Sequence, residues 1–357
     1  MAFAPDHISR RLKQRSLIAV ALVVALTAAA ALLATTDPEP GPAPATASPS
    51  ILAPQSAVAA SRDPDVAGRR STLAAVTSWR DMRLASSPAA IAATGDDLVA
   101  VDPNLIDAVP ASEQAAALET LRRKPDGASR LLIGHLSVGN FEPDRPYWRP
   151  KSAAKAAMKL DGEAPTSTDA QSTSGARAVA VCYWESEWQA QLYGRPEALL
   201  DRLIASGYDG VYLADAEAYR LARSELADAD TRMADLIRRM SAHARRLNPQ
   251  FVVMLGGAEE LLSHTVVHEA VDAIAKTNLL FGINGPGMAN DEADIASSLH
   301  ALKSAVRAGQ PVFVSERITT TEATVAARRR LADLGFIADI NRATMPLRGT
   351  GWSKVKF

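Results

Sequence analysis

A chain of 357 residues that is 47% hydrophobic and 22% charged can bury a large core, and one large folded domain is its default reading. A formal net charge of -1, with no basic stripe interleaved with aromatics, argues against nucleic acid as a partner. Cys182 is the sole cysteine, which excludes an intrachain disulfide and a thiolate metal site.

The first predicted element is an export segment. Arg10, Arg11, Lys13 and Arg15 precede the uncharged run from Leu17 to Ala34, and Asp37, Pro38, Glu39 and Pro40 follow it. The run lies between a signal peptide's apolar core and a full membrane span of about 20 residues, so residues 1–35 read as a signal peptide or a membrane anchor. No cysteine follows it to carry a lipid. Residues 36–68, rich in Pro, Ala and Ser, read as a linker, and residues 69–357 as the folded domain. Basic residues stay inside, so the domain is expected outside the cytoplasmic membrane, in the periplasm or secreted, held at the membrane if the segment is not cleaved.

Eight apolar runs then alternate with helical patterns. The expected strands are Ala74 to Trp79, Asp97 to Asp102, Leu131 to Val138, Gly210 to Asp215, Phe251 to Leu255, Leu279 to Ile283, Pro311 to Ser315 and Phe336 to Ile340. Between them, Leu199, Leu200, Leu203 and Ile204 share a helix face stopped by Gly207. Met233, Leu236, Ile237, Met240 and Leu247 form a second stripe, closed by Asn248 and Pro249. This alternation predicts an α/β fold, a (β/α)8 TIM barrel, with a doubly wound open sheet as the alternative. No GxGxxG or Walker pattern opens a helix, and no cofactor is expected.

In such a barrel the chemistry sits where strands end. Asp102, Asn140, Glu142, Arg145, Asp215, Glu217, Tyr219, Glu259, Glu260, Glu316 and Arg317 fall at those ends, so carboxylates recur at one rim. Paired carboxylates with aromatic platforms suit glycoside hydrolysis, and Tyr147, Trp148, Tyr183, Trp184 and Trp188 are the candidate sugar-stacking faces. His264 and His268 share a helix face at i, i+4, but "HTVVH" lacks the glutamate of HExxH and no metal site is assigned. The segment between Trp148 and Val179 has almost no large apolar residue and is expected to be a mobile excursion near the barrel mouth.

Four motifs carry a resemblance. "HLSVGNFEPDRPYW" (His135 to Trp148), "VCYWESEWQ" (Val181 to Gln189), "GYDGVYLADAEAY" (Gly207 to Tyr219) and "PVFVSERI" (Pro311 to Ile318) are similar, in order and spacing, to glycoside hydrolase family 114, the endo-α-1,4-polygalactosaminidase-like TIM barrels. The resemblance implies an exported barrel that handles a polymer of galactosamine or N-acetylgalactosamine. This chain departs from the family at Asn140, where a glutamate is usual, at Ala214, where an aspartate follows GVYL, at Gly256 and Gly257, which replace Gln-Asn, and at Thr277. The usual two-carboxylate mechanism therefore does not transfer position by position. Asp215, Glu217 and Glu316 are the expected catalytic replacements. Asp102, Asn140, Glu142, Arg145, Tyr147, Trp148, Trp184 and Tyr219 are the expected substrate-binding set. A strand bulge would bring Asp215 to the mouth, and the other reading is a barrel that has lost hydrolysis and kept carbohydrate binding.

Overall fold

The computed structural model describes residues 65–83, 85, 87–141, 164–167, 178–285, 287–342 and 352–355. Eight parallel strands run in chain order around a barrel: β1 Trp79–Met82, β2 Leu98–Val101, β3 Leu131–Ser137, β4 Gly210–Ala214, β5 Val252–Gly256, β6 Ala273–Thr277, β7 Val312–Ile318 and β8 Ile337–Arg342. The ladder is continuous from β1 to β8. The seam between β8 and β1 carries a side-chain bond, in which Asp81 N–H donates to Asp339 Oδ2 at 3.0 Å. Alternation along each strand sends Trp79, Leu98, Ala100, Ile133, Tyr212, Ala214, Met254, Ala273, Ala275 and Phe313 into one inner cluster, with Trp79 and Phe313 ring centroids 5.4 Å apart. The intervening positions, such as Leu132, Leu213 and Val253, pack against the outer helices.

Two strands differ from expectation. The sixth is Ala273–Thr277 and not Leu279 to Ile283, which is loop. "AIAKT" reads weakly as a strand because its inward residues are alanines, kept small by the neighbouring Tyr212, Met254 and Phe313 that fill the barrel. The first strand begins at Trp79, since Ala74 ends a helix, α1 Val66–Ala74, that lays Leu73 into the inner cluster. Arg69 of α1 is wholly buried, donating to Asp272 Oδ1 at 2.9 Å and to the Pro249 carbonyl at 2.6 Å. Asp272 also accepts from Val253 N–H and from Arg245, so α1 is fixed to the start of β6 by a buried charge network.

The helices Leu199–Ser206 and Ala229–Leu247 bury the expected leucine and methionine stripes, and Gly207 caps the first at φ 88°. Leu247 is the exception: at the last helical position it is exposed. A second, antiparallel sheet pairs Trp352–Val355, Ala164–Ser167, Ala178–Ala180 and Asn140–Phe141 in that order. Ala164–Ser167 lies within the segment expected to be a mobile excursion and is instead a paired strand; the rest of that segment up to residue 177 lies outside the described residues. So does the apolar run of residues 17–34.

Candidate active site

The chain leaves β4 by a sharp turn. Ala214 is the last strand residue and points inward. Asp215 then adopts φ 60° and ψ 23°, a left-handed conformation that Asp tolerates better than most side chains. This reversal ends the strand alternation, and the Asp215 carboxylate accepts a hydrogen bond from Ser137 Oγ at the end of β3. Ser137 Oγ in turn accepts from Asn140 N–H at 3.2 Å. Gly139 lets the two segments meet, because a Cβ there would lie 2.5 Å from Ala218 Cβ and closer still to the Asp215 carbonyl. The change of direction that a bulge was expected to supply comes from this left-handed residue.

One short turn later, Glu217 sits partly buried over the end of β5. A Cβ on Gly257 would lie 2.8 Å from Glu217 Cδ. Burial pushes the Glu217 carboxyl up to about 7; Asp215 adds to the rise, while Lys276 and Arg220 oppose it. Below it, the Tyr212 ring occupies the space a side chain at Gly256 would take, with Oη 2.7 Å from that Cβ position. Arg83 covers the Tyr212 ring at 4.5 Å from its centroid, and the His135 ring lies 5.9 Å away.

Arg83 grips Asp81 in a bidentate pair, Nε to Oδ1 at 2.8 Å and Nη2 to Oδ2 at 2.6 Å. Burial pushes Asp81 up, but Arg83 outweighs it and holds the carboxyl below its ordinary value. Across the seam, burial pushes Asp339 up to about 6, against the Asp81 N–H and Arg80. Asp81, Arg83, Tyr212 and Asp339 were not among the expected site residues. With β1 placed too early, its inward register was lost; alternation counted from Trp79 reaches Asp81, and from Ile337 reaches Asp339.

The remaining candidates are distributed differently. Glu316 is fully buried and does not face the mouth: its carboxylate accepts from Leu280 N–H at 2.6 Å and Phe281 N–H at 3.2 Å, pinning the loop after β6. It alternates with Ser315 and so points to the outer layer, which corrects its expected catalytic placement. Tyr219 is buried, with Arg223 4.9 Å above its ring, and offers no face to a sugar. Asp102 is buried and accepts from Asn104 N–H at 3.0 Å at the start of a short helix. Asn140 is buried in the second sheet, its Oδ1 without a hydrogen-bond partner among the described residues. Trp184 is half-buried and stands edge-on to Tyr183, centroids 5.0 Å apart.

Tyr183 and Trp188 are wholly buried; they donate to the Ala229 and Val138 carbonyls at 2.6 and 2.9 Å and act as packing residues. Glu259 is buried against Lys276 Nζ at 2.6 Å, and Glu260 pairs with Arg220 at 2.6 Å. His264 faces Asp230 at 3.4 Å. Glu142, Arg145, Tyr147 and Trp148 lie outside the described residues. The structure thus brings Asp215 and Glu217 together at one turn and turns Glu316 to the outer layer.

No family model matches the chain. An uncharacterized protein of Deinococcus radiodurans is 30% identical over 255 residues, covering 70% of this chain and 74% of that protein. The chain belongs to the family of that protein. A second relative, the uncharacterized protein MJ1477 of Methanocaldococcus jannaschii, is 25% identical over 141 residues, 38% of this chain and 37% of that protein. Among solved structures, the glycoside hydrolase domain of PelA from Pseudomonas aeruginosa superposes with a TM-score of 0.53 at 14% identity, over 78% of this chain and 99% of that domain. A variant of the same domain gives 0.52. At this identity the likeness establishes the shared (β/α)8 barrel.

Proposed function

We propose that this family member is an extracytoplasmic glycoside hydrolase of the family 114 kind, acting on a galactosamine-containing polysaccharide, with Glu217 as its general acid. One observation carries the reading. In the mouth of a barrel that lacks a carboxylate at position 214, Glu217 is held beside Asp215 in an environment that raises it to about 7, so that about half of it carries a proton at neutral pH. A protonated carboxylic acid is what the glycosidic oxygen needs as its bond to the anomeric carbon breaks. Asp215, turned toward Ser137, is the carboxylate proposed to polarise a water or face the developing oxocarbenium charge. The four sequence motifs support the amino-sugar polymer as substrate, and the basic-then-apolar amino terminus supports export.

The test is release of reducing ends from purified galactosamine polymer by the full chain and by Glu217→Gln. Turnover by the parent at neutral pH, lost in the variant, supports the assignment; undiminished turnover in the variant overturns it. A second reading, a carbohydrate-binding barrel without turnover, is favoured by the other acids being engaged: Asp81 with Arg83, Glu260 with Arg220, Glu259 with Lys276 and Glu316 with backbone amides. Saturable binding of the polymer with no cleavage, followed by gain of cleavage in Ala214→Asp with Asn140→Glu, selects that reading.

A further inference from the structure

Two glycines in succession weaken a strand end, because they add backbone freedom and remove side chains that would pack. Gly256 is not among the residues with positive φ. Gly257 has φ 70°, in the left-handed region that favours glycine, and the next residue, Ala258, adopts φ 51°. What the two positions share is an occupied neighbourhood. A Cβ on Gly256 would fall within 2.7 Å of Tyr212 Oη and closer to the ring carbons, and one on Gly257 within 2.8 Å of Glu217 Cδ.

We propose that Gly256 and Gly257 are positioning residues: a side-chain-free seat at the end of β5 on which Tyr212 and Glu217 rest, so that the acid at 217 depends on the absence of side chains at 256 and 257. The inference rests on reading Glu217 as the acid of the site. With the Gln-Asn pair present, the volume now held by Tyr212 and Glu217 would be filled. Groups facing Glu217 from the surrounding elements are Asp215 on its own turn, Arg220 on the following helix, Tyr212 on β4 and Lys276 on β6. The seat keeps the carboxyl among them.

Two measurements on the full chain test the seat without any substrate. The first is a carboxyl-carbon NMR titration of Glu217, its resonance identified by its loss in Glu217→Gln. It is expected to titrate near 7 in the parent and to fall toward the ordinary 4.5 in Gly257→Ala. In Gly127→Ala, which sets a Cβ at φ 84° into open space, the Glu217 titration stays near 7. An unchanged titration in Gly257→Ala overturns the proposal.

The second measurement is the thermal midpoint. Gly257→Ala is expected to lower it more than Gly127→Ala does, and the excess to vanish on a Glu217→Ala background. An equal loss on both backgrounds overturns the seat. If Gly257→Ala does not fold, folding of Gly257→Ala with Glu217→Ala supports the seat and failure of that double variant overturns it. Should the titration and coupling behave as expected while the polymer is never cleaved, the seat stands and the enzymatic reading falls. Cleavage by the parent with no coupling between 217 and 257 gives the reverse.

Discussion

Glu217, after β4, and Glu316, on β7, are both buried enough to be pushed up to about 7, yet their partners assign them different work. Glu316 spends its oxygens on the amides of Leu280 and Phe281 and holds a loop. Glu217 rests on a glycine beside another acid, in the mouth. A raised carboxyl pKa therefore does not by itself mark a catalytic acid; which groups stand around the carboxyl separates an anchor from an acid.

The sharpest way to break this contrast is to delete each side chain. Glu316→Ala leaves two buried N–H groups without an acceptor and is expected to cost about 3–5 kcal/mol in urea unfolding. Glu217→Ala is expected to cost less than about 1 kcal/mol, because only its own backbone N–H, in a partly buried turn, loses an acceptor. Equal losses would mean that Glu217 is structural as well. The catalytic side of the comparison is the next largest effect. Glu217→Gln is expected to lower turnover of a galactosamine polymer by about 10²-fold or more with folding intact, the usual size of a positioned proton donor's contribution.

The two glutamates are expected to behave alike in pH-dependent stability. Their folded values lie above the ordinary 4.5, so the stability each contributes is complete below that value and lost as pH rises through about 7. Asp339, raised from 3.8 to about 6, acts in the same sense. The urea midpoint should therefore decline between about pH 5 and pH 8, and Glu217→Gln or Glu316→Gln should each remove about 1–3 kcal/mol of that decline. Asp97 works oppositely: burial is outweighed by Lys124, Thr77 and Ser78, its carboxyl is held far below 3.8, and its contribution is lost on acidification. A flat profile from weakly acid to weakly basic pH would show that neither glutamate is desolvated.

The smallest effect belongs to Glu260, which is half-exposed and paired with Arg220 at the same rim. Glu260→Gln should change stability by less than about 1 kcal/mol, as surface ion pairs do, and turnover by less than about threefold. A larger loss of turnover would move the acid of the site from β4 to β5.

Sequence by itself determined the barrel. Period-two apolar runs alternating with leucine and methionine stripes are local signals, and burial on both faces of a parallel strand leaves them in the composition. It also pointed to the turn after β4, since an acidic "DAEAY" behind an apolar strand is visible without coordinates. It did not determine β6, whose inward alanines are small only because side chains from distant parts of the chain fill the same barrel layer. Nor did it show what each acid at the rim touches. Glu316 became an anchor because a loop 35 residues earlier turns its amides toward it, and Asp81 was claimed by Arg83. Glu217 lies where a side chain at Gly257, just past β5, would otherwise stand. Those are contacts between residues far apart in the chain, and the field and burial that set a carboxyl's chemistry exist only once the strands stand side by side.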